Sequence, residues 1–226
     1  MITACALIAA YNEEPHVGAV VSGTARHISP VFVVDDGSID RTALVAGAAG
    51  AIVMRHDRNL GKGSAVRTGL ARILREPYSH VLLIDADLQH DPDEIPKLVE
   101  CAERGVGDFV VGEREFSRDA MPGARFYSNI IGSRILSFFV GATIGDSQSG
   151  FRLIRTDLLR RVTLTATGYE IETEVIIKLV RAGATLERVP VRRLAYQNAR
   201  SHMRPVRDTF RTCMLALGYR YFTGRT

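Results

Sequence analysis

The chain has 226 residues, of which 46% are hydrophobic and 24% are charged, proportions typical of a globular protein with a substantial core. This length suits one large α/β domain, or one such domain with a short appendage. The formal net charge of +4 is mildly basic, which fits attraction to phosphates or anionic lipid no better than it fits plain solubility.

Several classes of protein are disfavoured by what the sequence lacks. Cys5, Cys101 and Cys213 do not have the spacing of a metal site, so we expect reduced, buried thiols in a cytoplasmic protein. The N-terminus lacks the basic region of a signal peptide, and no apolar run reaches the ~20 residues of a spanning helix. No basic cluster alternates with exposed aromatic residues, which argues against nucleic-acid binding. We therefore predict a cytoplasmic protein that does not cross a membrane but can touch one.

Apolar strand-like runs alternate with helical patterns through the first half of the chain. We predict strands at 3–10, 31–34, 51–54, 81–84 and 108–111. We predict helices from the segment YNEEP to about 27, from about 40, over about 64–75 and over 92–104. Unbroken alternation predicts a mostly parallel sheet with helices on both faces and a functional site at the carboxyl ends of the strands.

The turns after the first two strands carry different signals. The first turn argues against a nicotinamide or flavin enzyme. Such an enzyme needs G-x-G-x-x-G at the first turn, where this chain has AAYN at 9–12. The second strand ends in DDGS at 35–38. We assign Asp36 a functional role, because its carboxylate can accept hydrogen bonds from a base N–H or from ribose hydroxyls. Asp40, in contrast, is interpreted as part of an acidic turn that caps the next helix.

The third strand leads to a lysine between two glycines. The segment does not match a phosphate loop, because Lys62 is followed by Gly63 and His56 stands where the first glycine is required. What remains is a lysine at a helix N-terminus. Lys62 then either faces a nucleotide or belongs to an ordinary helix-entry turn.

The fourth strand runs directly into the acidic segment DADLQHDP at 85–92. Asp85 and Asp87 are two residues apart, so in an extended chain both carboxylates lie on one face and can converge on one cation. Gln89 continues this parity. Hard oxygen ligands of this kind suit Mg²⁺ or Mn²⁺ bridging the phosphates of a nucleotide. Asp91, which precedes a proline, is predicted to cap the following helix.

The second half of the chain is less regular. An amphipathic helix is predicted over 125–140; its apolar face packs in the core by default, and a lipid-facing surface is the alternative. The small, polar segment 146–152 ends in a strand-like run, and strands are predicted near 185–189 and 191–195. A helix is predicted to start in YEIETE at 169–174 and to run to about Arg181. The helix dipole accounts for one or two of its three glutamates, so the excess can include a site residue.

The C-terminal segment is predicted to form a basic amphipathic helix. Over 205–222 it alternates arginines with phenylalanine, methionine, leucine and tyrosine. Such a helix can lie on an anionic membrane, dock on its own domain, or pair with a second subunit in a homodimer.

Five motifs in a fixed order resemble inverting glycosyltransferase family 2. They are IAAYNEE at 8–14, VVDDGSIDRT at 33–42, NLGKGSAVRTG at 59–69, IDADLQHDP at 84–92 and SGFR at 149–152. The resemblance covers roughly residues 3–195 and is directed to the dolichol-phosphate mannosyltransferase-like and bacterial polyprenyl-phosphate glycosyltransferase branch. It implies one GT-A domain at 1–204, a Rossmann-like sheet whose front half holds a sugar nucleotide and whose back half builds the acceptor site. The basic amphipathic helix at 205–226 follows.

The resemblance also implies roles for particular residues. Nucleotide-sugar binding falls to Ala10, Tyr11, Glu13, Asp36, Lys62 and Asp85. The metal ligands are Asp85, Asp87 and Gln89. The catalytic set is Asp87, Arg114, Arg125 and Asp146, with the two arginines facing the donor diphosphate and the acceptor phosphate. His202 falls in a segment that covers the donor in similar enzymes, where it is a candidate extra metal or phosphate ligand.

This sequence departs from the family pattern at two places. Many members have DADLQDPP, whereas His90 and Asp91-Pro92 replace part of that motif here without changing the spacing of the metal ligands. Some relatives carry C-terminal transmembrane helices that have no counterpart here, which leaves a peripheral contact on the inner face of the membrane as the expectation.

The acceptor decides which chemistry is needed. A polyprenyl or dolichyl phosphate is already anionic near neutral pH and needs no general base, and we favour this acceptor. A saccharide or protein hydroxyl would need a base such as Asp146 or Glu172. A sugar-1-phosphate nucleotidyltransferase would have a glycine-rich basic loop after the first strand, which is missing. A non-catalytic nucleotide-sugar-binding protein is the more distant alternative, and the presence of both metal carboxylates speaks against it.

Overall fold

One seven-stranded sheet forms the centre of the protein in the computed structural model, which describes residues 2–114, 133–134, 136–137, 141, 144–146, 149–192 and 194. The strands are β1 (Ala4–Ala10), β2 (Val31–Asp35), β3 (Ile52–Arg55), β4 (His80–Asp85), β5 (Phe109–Arg114), β6 (Arg152–Arg155) and β7 (Leu186–Val191). They lie in the order β3-β2-β1-β4-β6-β5-β7. Only β6 runs against its neighbours β4 and β5, which confirms the predicted mostly parallel sheet.

Helices cover both faces of this sheet, as predicted. They are α1 (Val17–Ala25), α2 (Thr42–Ala48), α3 (Lys62–Ile73), α4 (Ile95–Glu103), α5 (Thr156–Leu159) and α6 (Ile171–Arg181), with a 3₁₀ turn at Pro92–Glu94 before α4. Alternate residues of a strand enter opposite cores. Leu7 packs in the core with α3 and α6, whereas Ile8 packs in the core with α1 and α4. Burial on both faces explains why these strands are continuous apolar runs.

The predicted cap at Asp91 is confirmed, because its carboxylate accepts a hydrogen bond of 3.0 Å from the backbone N–H of Asp93. Asp40 likewise accepts from the backbone N–H of Thr42, the first residue of α2, at 3.0 Å. Cys5 is a buried free thiol, as expected, and burial raises its pKa to about 12. These local signals were therefore interpreted correctly.

Two elements differ from the sequence-based expectation. We predicted separate strands on either side of Pro190, but β7 runs through it. Proline is tolerated there because β7 is the outermost strand of the sheet and can leave one N–H position without a ladder partner. The short helix α5 directly after β6 was not predicted.

Several predictions fall outside the described part of the chain. Arg125, His202 and the segment 205–226 are among them. Of the predicted helix 125–140, residues 133–134 and 136–137 are described and helical, and Leu136 is buried in the core. Within the described ranges, no helix is both long enough and apolar enough to cross a membrane.

Candidate active site

The carboxyl ends of β1, β2 and β4 meet at one edge of the sheet, which we call the carboxyl edge. In the register of the sheet, Ala10 pairs with Asp35 and Ala9 pairs with Asp85, so acids from β2 and β4 flank the end of β1. The backbone N–H of Asp36 donates to the carbonyl of Ala10 at 2.8 Å. The parallel sheet therefore brings together the acidic motifs that sequence analysis singled out.

Asp85 is the last residue of β4 and contacts a glycine of the SGFR motif. A Cβ atom at Gly150 would lie 2.3 Å from Oδ2 of Asp85, far inside van der Waals contact. Gly150 lies just before β6, the strand that pairs with β4. The glycine leaves room for this position of the carboxylate, and any larger residue would force the carboxylate to shift.

Asp87 lies near Asp85, although not for the reason the spacing suggested. The strand ends at Asp85, and residues 86–88 form a turn in which Leu88 has a φ of 58°. The extended-chain argument was therefore wrong. Asp87 accepts hydrogen bonds from Gln89, at 3.1 Å from its backbone N–H and 2.7 Å from Nε2.

The electrostatics of Asp87 place it close to a second negative charge. Burial is the largest cause, and together with the charge of Asp85 it raises the pKa of Asp87 to about 6, while the N–H of Gln89 and the charge of Lys62 act in the opposite direction. The two carboxylates thus repel each other in the protein alone. A divalent cation bound between them would remove that repulsion.

Lys62 is the first residue of α3, and its ammonium group points into the carboxyl edge. Nζ lies 2.6 Å from Oδ1 of Asp85 and 2.7 Å from Oε1 of Glu172. Burial opposes the charged lysine, but the two carboxylates outweigh burial and raise the pKa of Lys62. Gly61, at a φ of 97°, lies directly against the carbonyl of Thr167, so the glycine permits the close turn that aims the lysine. The helix-entry turn is therefore confirmed, whereas contact of Lys62 with a nucleotide stays a prediction.

A buried arginine completes the ionic arrangement. Nη1 of Arg152 lies 3.0 Å from Oε2 of Glu172, and Arg152 also donates to the backbone carbonyls of Glu172 and Ser149, both at 2.7 Å. Arg152 is 0% exposed. Its charge is tolerated only because these acceptors surround it. We call the series Arg152–Glu172–Lys62–Asp85 the ionic chain.

Sequence reasoning singled out Lys62, Asp85 and Glu172 but missed Arg152 and the ion pairs that connect the four residues. Glu172 was considered as a general base, yet its two carboxylate oxygens contact Lys62 and Arg152 respectively. The signal that pointed to it was the excess of glutamates at the start of α6. Glu174, two residues later, instead accepts hydrogen bonds from the backbone N–H groups of Thr165 and Ala166.

Asp36 is buried and holds the loop that leads to α3. Its carboxylate accepts hydrogen bonds from the backbone N–H groups of Leu60, at 2.9 Å, and Gly61, at 2.8 Å. It also contacts Nδ1 of His56 at 2.7 Å, and Nε2 of His56 lies 2.9 Å from the hydroxyl of Thr68. A nucleotide-binding role for Asp36 stays a prediction. In the structure its carboxylate fixes the backbone from which Lys62 projects.

The first turn is tied to the second along the same edge. The backbone N–H of Asn12 donates to the hydroxyl of Ser38 at 2.9 Å, and that of Glu13 donates to the hydroxyl of Thr42 at 2.8 Å. The carboxylate of Glu13 pairs with Nδ1 of His16 at 2.9 Å. Ala10 and Tyr11 lie at the start of this turn. The structure therefore places the predicted donor-binding turn beside the acidic end of β2.

The predicted catalytic residues of the second half are only partly described. Arg114 is the last residue of β5, and its side chain lies outside the described part of the structure, as does the whole of Arg125. Asp146 is 0% exposed. It lies in the segment between β5 and β6, where the carboxylate of Glu113 accepts from the backbone N–H of Gly145 at 2.8 Å.

His90, the departure from the family motif, has a packing role. It is 1% exposed, and its ring lies 5.2 Å from the ring of Phe151 in the SGFR motif. The backbone carbonyl of Gln89 accepts a hydrogen bond of 3.1 Å from Leu194. The ring of His90 therefore packs the acidic segment against the SGFR motif.

The donor set fits a hard divalent cation whose shell is completed by a ligand. Across the described ranges, no group of three or more histidine, cysteine, aspartate or glutamate side chains is arranged to hold a metal. Asp85 and Asp87 supply two carboxylates, whose oxygens are the hard donors that such a cation prefers. Mg²⁺ and Mn²⁺ commonly bind through one or two carboxylates plus phosphate oxygens and water. The residues present therefore fit a metal that binds together with a diphosphate.

The decisive comparison is with protein families. The model of glycosyl transferase family 2 matches residues 5–163, which include every motif from the end of β1 to SGFR. The chain belongs to glycosyl transferase family 2. It is therefore a transferase, and the resemblance found from the motifs alone is confirmed.

Other members of glycosyl transferase family 2 are similar along most of this chain. The dolichyl-phosphate hexose transferase of Haloferax volcanii is 31% identical over 185 residues, covering 80% of this chain and 78% of that protein. The polyprenol monophosphomannose synthase of Mycolicibacterium smegmatis is 28% identical over 200 residues, covering 82% and 75%. Glycosyltransferase AglJ of Haloferax volcanii is 32% identical over 191 residues, covering 82% of this chain but 61% of its own length.

Solved structures confirm the GT-A fold. Mannosyl-3-phosphoglycerate synthase from Rubrobacter xylanophilus superposes with a TM-score of 0.77, covering 98% of this chain and 74% of that one at 23% identity. Glucosyl-3-phosphoglycerate synthase from Mycobacterium tuberculosis, in complex with Mn²⁺, UDP-glucose and phosphoglyceric acid, has a TM-score of 0.74, 23% identity and coverage of 97% and 79%. At this identity the likeness establishes the fold alone.

Proposed function

We propose that this family 2 enzyme transfers a hexose, with inversion, from a UDP- or GDP-linked sugar to a polyprenyl or dolichyl phosphate. The observation that carries the proposal is the arrangement of Asp85, Asp87 and Lys62 at the carboxyl edge. It offers two carboxylates for a cation and one ammonium group for a diphosphate, close together at one edge of the sheet. The relatives named for dolichyl-phosphate and polyprenol chemistry support the choice of acceptor.

The donor half of the reaction needs the leaving diphosphate to be stabilised. Mg²⁺ or Mn²⁺ held by Asp85, Asp87 and Gln89 would supply positive charge to the diphosphate oxygens. Lys62 reaches the same region from the N-terminus of α3, where backbone N–H groups also favour anions. Ala10, Tyr11, Glu13 and Asp36 line the turns on which we propose that the nucleoside rests.

The acceptor half needs no proton transfer if the nucleophile is a phosphate. An oxygen of the acceptor phosphate bonds to the anomeric carbon on the face opposite the diphosphate. The bond from that carbon to the diphosphate oxygen breaks, and its electron pair leaves with the nucleoside diphosphate. Arg114 and Arg125 are proposed to hold the acceptor phosphate and the diphosphate, because arginine binds phosphate in a bidentate manner.

The second candidate acceptor, a saccharide or protein hydroxyl, requires a general base. The carboxylate oxygens of Glu172 already contact Lys62 and Arg152, and Asp146 is fully buried. A base must reach the proton that it removes. The structure therefore favours the phosphate acceptor over the hydroxyl acceptor.

The test is a transfer assay with defined donors and acceptors. Purified protein would be given UDP-glucose, UDP-N-acetylglucosamine or GDP-mannose with Mn²⁺ and a polyprenyl phosphate in detergent, and lipid-linked monophosphate sugar would be measured by mass spectrometry. We expect one donor to yield this product. Sugar appearing only on saccharide or protein, with none on the lipid, would contradict the acceptor assignment.

Asp146→Asn separates the two acceptor chemistries in the same assay. With a lipid phosphate we expect the rate to stay within about twofold of the wild type, because no proton has to be removed. A loss of about 100-fold or more would assign Asp146 an obligatory role as a base. Asp57→Asn, an exposed acid in the loop before α3, serves as the matched control.

We further propose peripheral contact with the membrane through the basic amphipathic segment 205–226, an inference from its sequence. Cosedimentation with anionic liposomes would compare the full chain with a variant that ends at 204. We expect less association for the shortened chain, provided its circular dichroism shows a folded domain. Unchanged association would contradict the membrane contact and favour packing of this segment on its own domain or against a second subunit.

A further inference from the structure

Lys62 occupies the position of a counter-ion beside a proposed metal ligand. Its ammonium nitrogen lies 2.6 Å from Oδ1 of Asp85, while Oδ2 of the same carboxylate faces Gly150. The side chains of Lys62 and Asp85 are 18% and 25% exposed, so water screens their attraction only in part. A cation that binds Asp85 is therefore repelled by the ammonium group of Lys62.

The charges of the ionic chain balance without Asp87. Arg152 and Lys62 carry two positive charges, and Glu172 and Asp85 carry two negative ones. Asp87 is the additional acid next to this balanced set. A divalent cation that joins Asp85 and Asp87 brings its charge to within about 4 Å of the ammonium group, where like charges repel strongly.

Glu172 can stay paired with Lys62 when a cation binds Asp85 and Asp87. Its far oxygen and its backbone carbonyl are both fixed by the fully buried Arg152. Its near oxygen lies 2.7 Å from Nζ of Lys62. The lysine has a flexible four-carbon stem, whereas Arg152 holds Glu172 at Oε2 and at its backbone carbonyl. The lysine is thus the mobile member of the chain, and Glu172 is its pivot.

We infer that Lys62 is a resident cation of the donor site, which a metal ion displaces from Asp85 and which then contacts the donor diphosphate while Glu172 retains it. This inference rests on the proposed function, since it assumes that the site binds a metal with a nucleoside diphosphate. It makes metal and donor mutually dependent. The metal releases the ammonium group, and the diphosphate gives that group a new partner, so each ligand strengthens binding of the other.

The test measures Mn²⁺ binding to the full chain by electron paramagnetic resonance of free Mn²⁺, first alone and then with UDP or GDP. Lys62→Met removes the charge while keeping the length of the side chain. Without nucleotide, we expect this variant to bind Mn²⁺ about fivefold more tightly or better than the wild type. The further gain on adding nucleotide should be smaller in the variant than in the wild type.

The matched control is Lys97→Met, which removes a lysine paired with Glu94 at 2.5 Å on a different helix. It should leave Mn²⁺ affinity unchanged. The inference would be overturned, and the proposed function kept, if folded Lys62→Met bound Mn²⁺ no more tightly than the wild type while the wild-type protein bound Mn²⁺ and transferred sugar. Absence of Mn²⁺ binding to the wild type, with and without nucleotide, would overturn the proposed donor site as well.

A measurement on the wild type keeps the inference falsifiable if Lys62→Met does not fold. The ammonium protons of a buried, ion-paired lysine exchange slowly enough to be followed by nitrogen-15 NMR. Titration with diamagnetic Mg²⁺ and UDP or GDP should shift one such signal as the ammonium group leaves Asp85. If every protected lysine signal keeps its position while Mg²⁺ and nucleotide bind, Lys62 does not move and the inference is wrong.

Discussion

The two ends of the parallel strands carry ion pairs of different character. At the carboxyl edge, the ionic chain is largely buried and lies beside an additional acid, Asp87. At the opposite edge, where the strands begin, Arg155 pairs with Asp108 and with Asp157 but is 43% exposed. Exposed pairs are screened by water and contribute little, whereas buried charges are costly unless each has a partner.

This difference supports the proposal that the functional site lies at the carboxyl edge of the sheet. At the opposite edge, which we call the amino edge, Arg155, Asp108 and Asp157 are ion-paired and partly hydrated. This edge therefore needs no ligand to be stable. At the carboxyl edge the acids Asp85 and Asp87 repel each other, and burial adds to the cost of ionising Asp87. A buried imbalance of this kind is tolerated where a ligand removes it. The following experiments either sharpen this contrast or remove it.

The largest expected effect is on catalysis at the carboxyl edge. Asp87→Asn should leave the protein folded but lower transfer with Mn²⁺ by about 1000-fold, because one of the two carboxylates proposed to hold the metal loses its charge. Initial rates with Mn²⁺ would be compared with those of Asp57→Asn, which should be unaffected. Undiminished turnover by Asp87→Asn would discard the metal assignment.

The next effect is on stability at the same edge. Arg152→Met should lower the free energy of unfolding by about 3 kcal/mol, because Glu172 would lose one of its two buried cationic partners. Urea unfolding would measure it. The double variant Arg152→Met, Glu172→Gln should recover part of the loss, since the uncompensated charge is then gone. A loss below about 1 kcal/mol in the single variant would show that this pair is as weak as a surface pair.

A smaller effect concerns the pH dependence of stability in the metal-free protein. Burial first, and then the charge of Asp85, raises the pKa of Asp87 from 3.8 to about 6, so the folded state keeps this proton to a higher pH than the unfolded state. The stabilisation from the protonated form is therefore complete below about pH 4 and is lost as the pH rises through about 6. Asp87→Asn cannot ionise, so it should be more stable than the wild type at pH 7.5 by about 1 kcal/mol.

Thermal unfolding in EDTA at pH 4 and pH 7.5 would measure this difference. The two proteins should have similar stability at the lower pH, and Asp57→Asn should follow the wild type at both values. If Asp87→Asn is the less stable protein at pH 7.5, ionisation of Asp87 does not destabilise the folded protein, and the contrast between the two edges is lost.

The smallest effect is expected at the amino edge. Arg155→Ala should lower the free energy of unfolding by no more than about 1 kcal/mol and leave transfer unchanged, because its partners Asp108 and Asp157 remain hydrated. Chemical unfolding and the transfer assay would be run on the same preparation. A loss as large as that of Arg152→Met would mean that the amino edge is not energetically simpler than the carboxyl edge.

The sheet, and the meeting of the acidic segments at one of its edges, could be predicted from the sequence because both depend on local patterns. Buried parallel strands are continuous apolar runs, and the acids at 35–36 and 85–87 follow such runs directly, so their meeting at one edge follows from the topology. The carboxylates of Asp85 and Asp87 were paired correctly, but through a turn instead of an extended chain. A turn of this kind depends on the left-handed backbone at Leu88, for which the residue type gives no signal.

The ion pairs that link the residues of the site could not be predicted, because they depend on packing between segments that are distant in the sequence. Lys62 and Glu172 lie on α3 and α6, and nothing local to either helix indicates that they meet. Arginine is seldom fully buried, so the composition of SGFR gave no reason to place Arg152 inside. The hydrogen bonds from the backbone N–H groups of Leu60 and Gly61 to the carboxylate of Asp36 were likewise not predicted.

The reversed direction of β6 has a consequence for how this enzyme tolerates variation. The other strands of the sheet end at the carboxyl edge, where we propose that the donor binds. Because β6 runs in the opposite direction, it begins at that edge, with Gly150 close to Asp85, and it ends at Arg155 on the opposite edge. Insertions are therefore expected to be harmful before this strand and harmless after it, the reverse of the rule for every other strand in the sheet.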